Sequence, residues 1–167
     1  MNENILTFVN DDHPILSTAM PVVDNPKYVE PLSQSMFKLM WANDGIGLAA
    51  PQVGMYLRMF IMGPQEGPHY VCINPEVIAV SDNEVLEPEG CLTYPDLWLN
   101  ISRPAWIDVK YQTLDGSIVE KRLEGLMARC YLHELDHLDG IVFTKKVSRL
   151  KLEMAKKKKL KRIGARI

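Results

Sequence analysis

A disulfide framework is missing from this sequence. Its three cysteines, Cys72, Cys91 and Cys130, are odd in number and widely spaced, unlike the paired pattern of small secreted domains, and a reducing compartment is the simpler home. No cationic start followed by an apolar stretch opens the chain, and no later apolar run is long enough to span a bilayer. A soluble, cytoplasmic protein with no membrane partner is the expectation. Nor is one sign of charge in excess: the formal net charge is −2, so bulk charge points neither to nucleic acid nor to a membrane surface. Internal repeats and low-complexity linkers are absent as well. What remains is 167 residues, 47% of them hydrophobic, enough for one compact domain with a core that needs no covalent staples.

From Pro26 to Asn43, Leu32, Met36, Leu39 and Met40 recur at helical spacing and mark one buried face, with Gly45 ending the helix. Leu57 to Met62 and Tyr70 to Ile73 read as short strands, and Val77 to Leu86 as two more around Ser81, Asp82 and Asn83. Ile107, Val109 and Tyr111 alternate with polar neighbours before Asp115-Gly116 and Ile118, the pattern of a β-hairpin. Past Gly125, the stretch LMARCYLHELDHLDG carries helix formers and stops at Gly140. A last, basic helix is expected over about 148–163, with Leu150 and Met154 on one side and Lys156 to Lys159 following. These elements predict a single α+β domain over 1–167, with antiparallel strands packed around a central metal-binding helix and a C-terminal helix.

The chemistry concentrates in His133-Glu134-Leu135-Asp136-His137. At roughly 100° per residue the two histidines lie about 40° apart and one turn along, so both imidazoles reach one metal ion. Glu134 lies beside them, placed to take a proton from a metal-activated water without being a ligand. The bland alternative is a chance pentapeptide on a solvated helix face, with Glu134 in an ordinary salt bridge. A catalytic metal site needs a third protein ligand and one open position. Cys130 shares the helix but lies seven residues from His137, about 10.5 Å along the axis, a long span for one ion, and it suits a packing role better. Cys91, within Glu89-Gly90-Cys91-Leu92-Thr93, belongs to a separate segment that can approach the helix from the side and is the better ligand, although alone it would read as another buried cysteine. Gly45-Ile46-Gly47-Leu48-Ala49-Ala50-Pro51-Gln52 lacks the lysine and the serine or threonine of a phosphate-binding loop, which argues against a nucleotide cofactor.

Taken in this order, the three segments resemble the motifs of the peptide deformylases, Gly-x-Gly-x-Ala-Ala-x-Gln, Glu-Gly-Cys-x-Ser and His-Glu-x-x-Asp-His or its near variants, and the likeness extends over nearly the whole chain. The resemblance implies a hydrolase of protein biosynthesis and N-terminal methionine processing, which removes the formyl group from the formylmethionine of newly made polypeptides and releases formate. Cys91, His133 and His137 would hold one divalent metal, Fe2+ in the cell, with Zn2+, Ni2+ or Co2+ able to replace it. Glu134 would act as general base, and Gln52 with the backbone N–H of Leu92 would receive the growing negative charge on the carbonyl oxygen. Substrate contacts fall to Ile46, Gly47 and Glu89, and to Leu126 and Cys130 around the methionine pocket. Arg103 and Asp136 would support the metal helix, and the basic C-terminal helix would contact the ribosome.

Two positions depart from the family pattern: Thr93 stands where serine is usual, and Leu132 where glutamine precedes the first histidine. Threonine keeps the hydroxyl, whereas Leu132 removes a polar group from the surroundings of the metal ligands. Two other readings compete. A zinc metalloprotease shares His-Glu-x-x-His, but its third ligand usually follows the helix rather than preceding it. A non-catalytic, metal-stabilised protein that holds ribosomal RNA through its basic tail would rather close its site with a fourth ligand.

Overall fold

A computed structural model of the chain describes residues 6–165; residues 1–5, part of the opening stretch read for a leader, lie outside the described residues. Three helices, Glu30–Ala42 (α1), Gly125–Leu138 (α2) and Arg149–Gly164 (α3), accompany seven strands among those residues. The strands are Gly47–Ala49 (β1), Met59–Met62 (β2), Tyr70–Val80 (β3), Glu84–Cys91 (β4), Tyr94–Pro104 (β5), Trp106–Gln112 (β6) and Ile118–Glu124 (β7). A five-stranded sheet runs β1-β2-β3-β6-β7, a two-stranded sheet pairs β4 with β5, and every pairing is antiparallel. This is the expected α+β arrangement, with α2 packed against strands of both sheets.

The expected strand at Tyr70–Ile73 and the one beginning at Val77 are a single strand, β3, interrupted only by shifts of register, and the strands on either side of Ser81, Asp82 and Asn83 do not pair with each other. The turn instead carries the chain from one sheet into the other, as Ser81 Oγ donates to Asn83 O and accepts from Ala105 N and Trp106 N. The β6–β7 hairpin forms as anticipated, from Gln112↔Ile118 to Trp106↔Glu124.

The first helix starts later than the pattern predicts, because Pro26–Val29 forms a separate 3-10 turn and Pro31 takes an early helical position where its missing N–H costs nothing. Its buried face is Ser33, Met36, Phe37 and Met40, with Leu32 and Leu39 only half-buried at its margins. Asp44, rather than Gly45, takes the left-handed conformation beyond its end, with φ 56°. Met36 and Met40 pack on Leu48, Met59 and Ile61 of β1 and β2. The second helix lays Ala128, Tyr131 and Leu138 among Phe60, Ile107, Val109 and the inward residues Leu97, Leu99 and Ile101 of β5. Each buried leucine, isoleucine, valine or phenylalanine among them contributes roughly 1.5–3 kcal/mol relative to exposure. Burial alternates along β5, and the next inward position after Ile101 is Arg103. That alternation sends a guanidinium into the interior, directly behind the helix that carries both histidines.

In α3 the residues turned inward are Leu152 and Ala155, while Leu150 and Met154 are 71% and 62% exposed, contrary to the expected apolar side. Ser148 caps this helix by accepting from Lys151 N. Among the described residues no helix is long and apolar enough to cross a membrane.

Candidate metal centre and active site

Cys91 ends β4, and the two-residue turn Leu92-Thr93 returns the chain into β5, so the thiol is delivered from a sheet to the side of α2. Gly90 matters here by close approach rather than by unusual backbone, since a Cβ would lie 3.2 Å from the Trp98 indole that covers it. On α2, His133 and His137 stand one turn apart and both are buried. The ligand atoms offered by Cys91, His133 and His137 all lie within 4.8 Å of one another, and Cys91 Sγ is 3.3 Å from His137 Nε2. Cys130 stays outside this group: its Sγ donates to Ile46 O at 3.3 Å, and burial pushes the thiol up, as befits an apolar packing residue.

The three donors fit a divalent cation. One thiolate and two imidazoles form a three-ligand set of the catalytic type, leaving a position open. His137 is kept neutral by burial, with His133 and Arg103 adding to that effect, and a neutral imidazole is the form that ligates. Its Nδ1 and Glu134 Oε2 are buried and lack a hydrogen-bond partner among the described residues. For His133, burial opposes the charge, but hydrogen bonds to Cys91 and Glu89 outweigh it and raise the pKa to about 10. A cation ligated there displaces that proton.

Behind the donors lies a polar frame, only part of which is legible in the sequence. Glu89, expected to contact substrate, is 5% exposed and spends its carboxylate elsewhere, on Arg103 Nε and Nη2, on Arg129 Nη1 and, at 3.1 Å, on His133 Nδ1. It borders the groove but acts as the residue that fixes the His133 ring, leaving Nε2 to face the metal position. Burial opposes its ionisation, yet the bonds from His133 and Arg103 win and lower its pKa to about 2. Arg103 also bonds Asp136 at 2.7 Å, which links β5 to α2, and Lys146 completes that chain on Asp136 at 3.0 Å. Arg129 was not singled out from sequence, although its position four residues before His133 places it on the same helical face. Leu132 is half-buried against the core, and it is His137, not His133, whose second ring nitrogen lacks a partner among the described residues.

Replacing Glu89 by alanine should therefore destabilise the protein by about 3–5 kcal/mol, because Arg103 and Arg129 would lose their shared buried carboxylate and keep only Asp136 and the exposed Glu87 as partners. Metal affinity should also fall by roughly 10–100-fold as the His133 ring loses its orienting acceptor. Urea unfolding and competitive metal titration read the two effects, and a variant with native stability and native affinity would contradict the assignment.

Glu134 is 4% exposed, and burial, reinforced by Glu89 and Asp136, pushes its pKa up to about 7 against the opposing pull of His133 and Arg103. Such a group exchanges protons near neutrality. A Cβ on Gly47 would collide with Glu134 Oε1 and lie 2.7 Å from Cys130 Sγ, so the bare backbone there keeps the carboxylate open to the groove. Gln52 is fixed at both ends of its amide: Oε1 accepts from Ala49 N at 2.8 Å, and Nε2 donates to Thr93 Oγ1 at 3.0 Å while standing 3.5 Å from Cys91 Sγ. The threonine hydroxyl thus has a definite task. Ile46, Gly47, Gln52, Leu92, Leu126 and Cys130 border, together with Cys91, His133 and Glu134, a groove of about 580 Å³. One wall is β1, which among the described residues is an edge strand paired with β2 alone. The Ile46 carbonyl is already occupied by Gly63 N at 2.8 Å.

A mixed fold with a cysteine–histidine–histidine cluster, an adjacent buried glutamate and an open groove defines a mononuclear metal-hydrolase architecture. The profile of the polypeptide deformylase family matches residues 5–153. A curated peptide deformylase of Zymomonas mobilis is 42% identical over 153 residues, covering 87% of this chain and 85% of that protein. Among solved structures, the peptide deformylase of Legionella pneumophila superposes with a TM-score of 0.86 at 32% identity, covering 98% of this chain and 99% of that one. The peptide deformylase from Synechococcus elongatus, in complex with actinonin, gives 0.87 at 32% identity over 95% and 88% of the two chains. The chain belongs to the polypeptide deformylase family, divalent-metal hydrolases that deformylate N-formylmethionyl peptides.

Proposed function

We propose that the cluster of Cys91, His133 and His137 beside Glu134 holds one ferrous ion in the cell and carries the deformylation of nascent polypeptides, with Zn2+, Ni2+ or Co2+ as functional substitutes. The observation that carries this reading is the convergence of the three donors within 4.8 Å at the edge of a groove walled by an unpaired strand edge. The ion supplies Lewis acidity, which eases deprotonation of water and polarises the formyl carbonyl.

The remaining work falls to the chain itself. Glu134 accepts the proton of the attacking water and returns it to the departing amine, so formate and a free N-terminus leave together. Gln52 Nε2 and the N–H of Leu92 meet the charge that grows on the former formyl oxygen; Thr93 holds the Gln52 amide in its orientation beforehand. Ile46 and Gly47 flank the substrate backbone along β1 as an added strand, and the methionine side chain enters between Leu126 and Cys130. Arg103 and Asp136 keep α2 in place beneath. The direct test is formate release from a formylmethionyl tripeptide measured against bound metal.

We also assign the protein to the cytoplasm, where nascent chains emerge, and give α3 a contact with the ribosome through the cations of its Lys156–Arg162 segment. Truncation before Lys156 should lower co-sedimentation with ribosomes at low salt, where such contacts are strongest. Unchanged co-sedimentation would remove that role from the tail.

A further inference from the structure

The substrate groove does not stop at the metal centre. Pro88, Asp96 and Trp98 border it and also border a second cleft, of about 570 Å³, between the β4–β5 hairpin and α3. One wall of this cleft is apolar and solvent-facing, formed by Leu86, Pro88 and Trp98, with Leu86 61% and Trp98 55% exposed. The other wall is cationic. Lys151, Met154, Ala155, Lys158, Lys159 and Arg162 all line it, at the i, i+3, i+4, i+7, i+8 and i+11 spacing of a single helical face. Most of that face lies beyond residue 153, where the family match ends.

We infer that this cleft is a continuation of the substrate site which favours nascent chains carrying acidic residues downstream of the formylmethionine. The inference rests on the deformylase reading above. Leu86 lies five residues back along β4 from Cys91, and at about 3.3 Å per residue an extended chain leaving the metal centre along this strand covers the same distance in about five residues. By the same measure Trp98, paired with Gly90, is passed within about two residues, and substrate residues from roughly the fourth to the seventh lie between Leu86 and the cations of α3. Carboxylates at those positions meet Lys151, Lys158 and Arg162, and apolar neighbours rest on Leu86 and Trp98. Continuity with the catalytic groove and the sign of the charge select a peptide as the occupant, because the apolar wall offers nothing to a phosphate backbone beyond the one indole.

The test is steady-state formate release from three substrates: a formylmethionyl tripeptide, an octapeptide with aspartate at positions five to seven, and the same octapeptide with lysine there. At low salt the acidic octapeptide should show a KM about fivefold below that of the basic one, the scale expected when several individually weak exposed ion pairs act together. The gap should close in 0.5 M salt and in the Lys158→Glu/Arg162→Glu variant, two exposed positions, and remain partly closed in Lys158→Gln/Arg162→Gln, while all variants keep wild-type kinetics on the tripeptide. Equal KM values for the two octapeptides, with normal tripeptide turnover, would overturn the inference. So would a KM gap that survives charge reversal. Equal KM values together with charge-dependent binding of a single-stranded RNA oligonucleotide would give the cleft to RNA instead. Absence of formate from the tripeptide is a different failure, that of the active-site reading itself.

Discussion

Glu134→Gln should leave the metal in place and lower turnover of a formylmethionyl peptide by about a hundredfold or more, the usual scale for a lost general base. The substitution keeps the shape of the side chain and touches none of Cys91, His133 or His137. Because Gln cannot take a proton from water, the loss should fall on kcat far more than on KM. The buried carboxylate, pushed up to about 7, must be ionised to act as a base, so wild-type activity should fall as pH drops through its pKa. A bound cation favours the ionised form, which moves that fall below pH 7, and the Gln variant should lack it altogether. A purely structural glutamate predicts the opposite pattern: a lowered thermal midpoint, metal loss, and near-normal turnover in whatever fraction stays metal-bound. Thermal midpoint, metal stoichiometry and the pH profile of turnover, taken on one preparation, separate the two.

The second large effect is a contrast between two cysteines. Cys91→Ala should abolish tight metal binding and activity, since among the described residues it removes the one member of the ligand cluster that comes from outside α2. Cys130→Ala should keep the metal and at least part of the activity, because its sulfur bonds the Ile46 carbonyl and packs in the core rather than joining the cluster. Its cost should appear as reduced stability and a changed fit for the methionine side chain, of the order of 1–3 kcal/mol for a small buried group. Metal analysis after dialysis against a weak chelator reads the contrast directly. A metal-filled, active Cys91→Ala protein would reverse the ligand assignment.

The juxtaposition of the two histidines and Glu134 was legible in the sequence because helical geometry fixes their relation locally: one turn between the imidazoles and one residue to the carboxylate. The same holds for the β6–β7 hairpin, where alternation and the Asp115-Gly116 turn act over a few residues. Strand pairing across longer distances was not legible. The turn at Ser81, Asp82 and Asn83 carries a local signal that says where the chain bends, but nothing in it says that β4 will pair with β5 rather than β3. The ion cluster around Glu89 was illegible for a related reason: its neighbours Arg103, Arg129 and His133 are 14, 40 and 44 residues away, so the cluster exists only once the fold has closed. In α3, Leu150, Met154 and Leu160 are all largely exposed, and with apolar and cationic residues interleaved around the helix the pattern did not single out Leu152 and Ala155 as the packed side.

Cys72 is buried in the core, where desolvation pushes its thiol well up, and it takes no part in the chemistry proposed here.

Purification without oxygen, with metal content and formate release measured on the same sample, decides whether the Cys91, His133 and His137 cluster carries the reaction. With a formylmethionyl tripeptide as substrate, formate should appear in proportion to bound metal, up to one ion per chain, and removal of the ion by chelation followed by addition of Fe2+ should abolish and then restore it. A protein that carries its full complement of metal on Cys91, His133 and His137 and yet releases no formate would contradict the account.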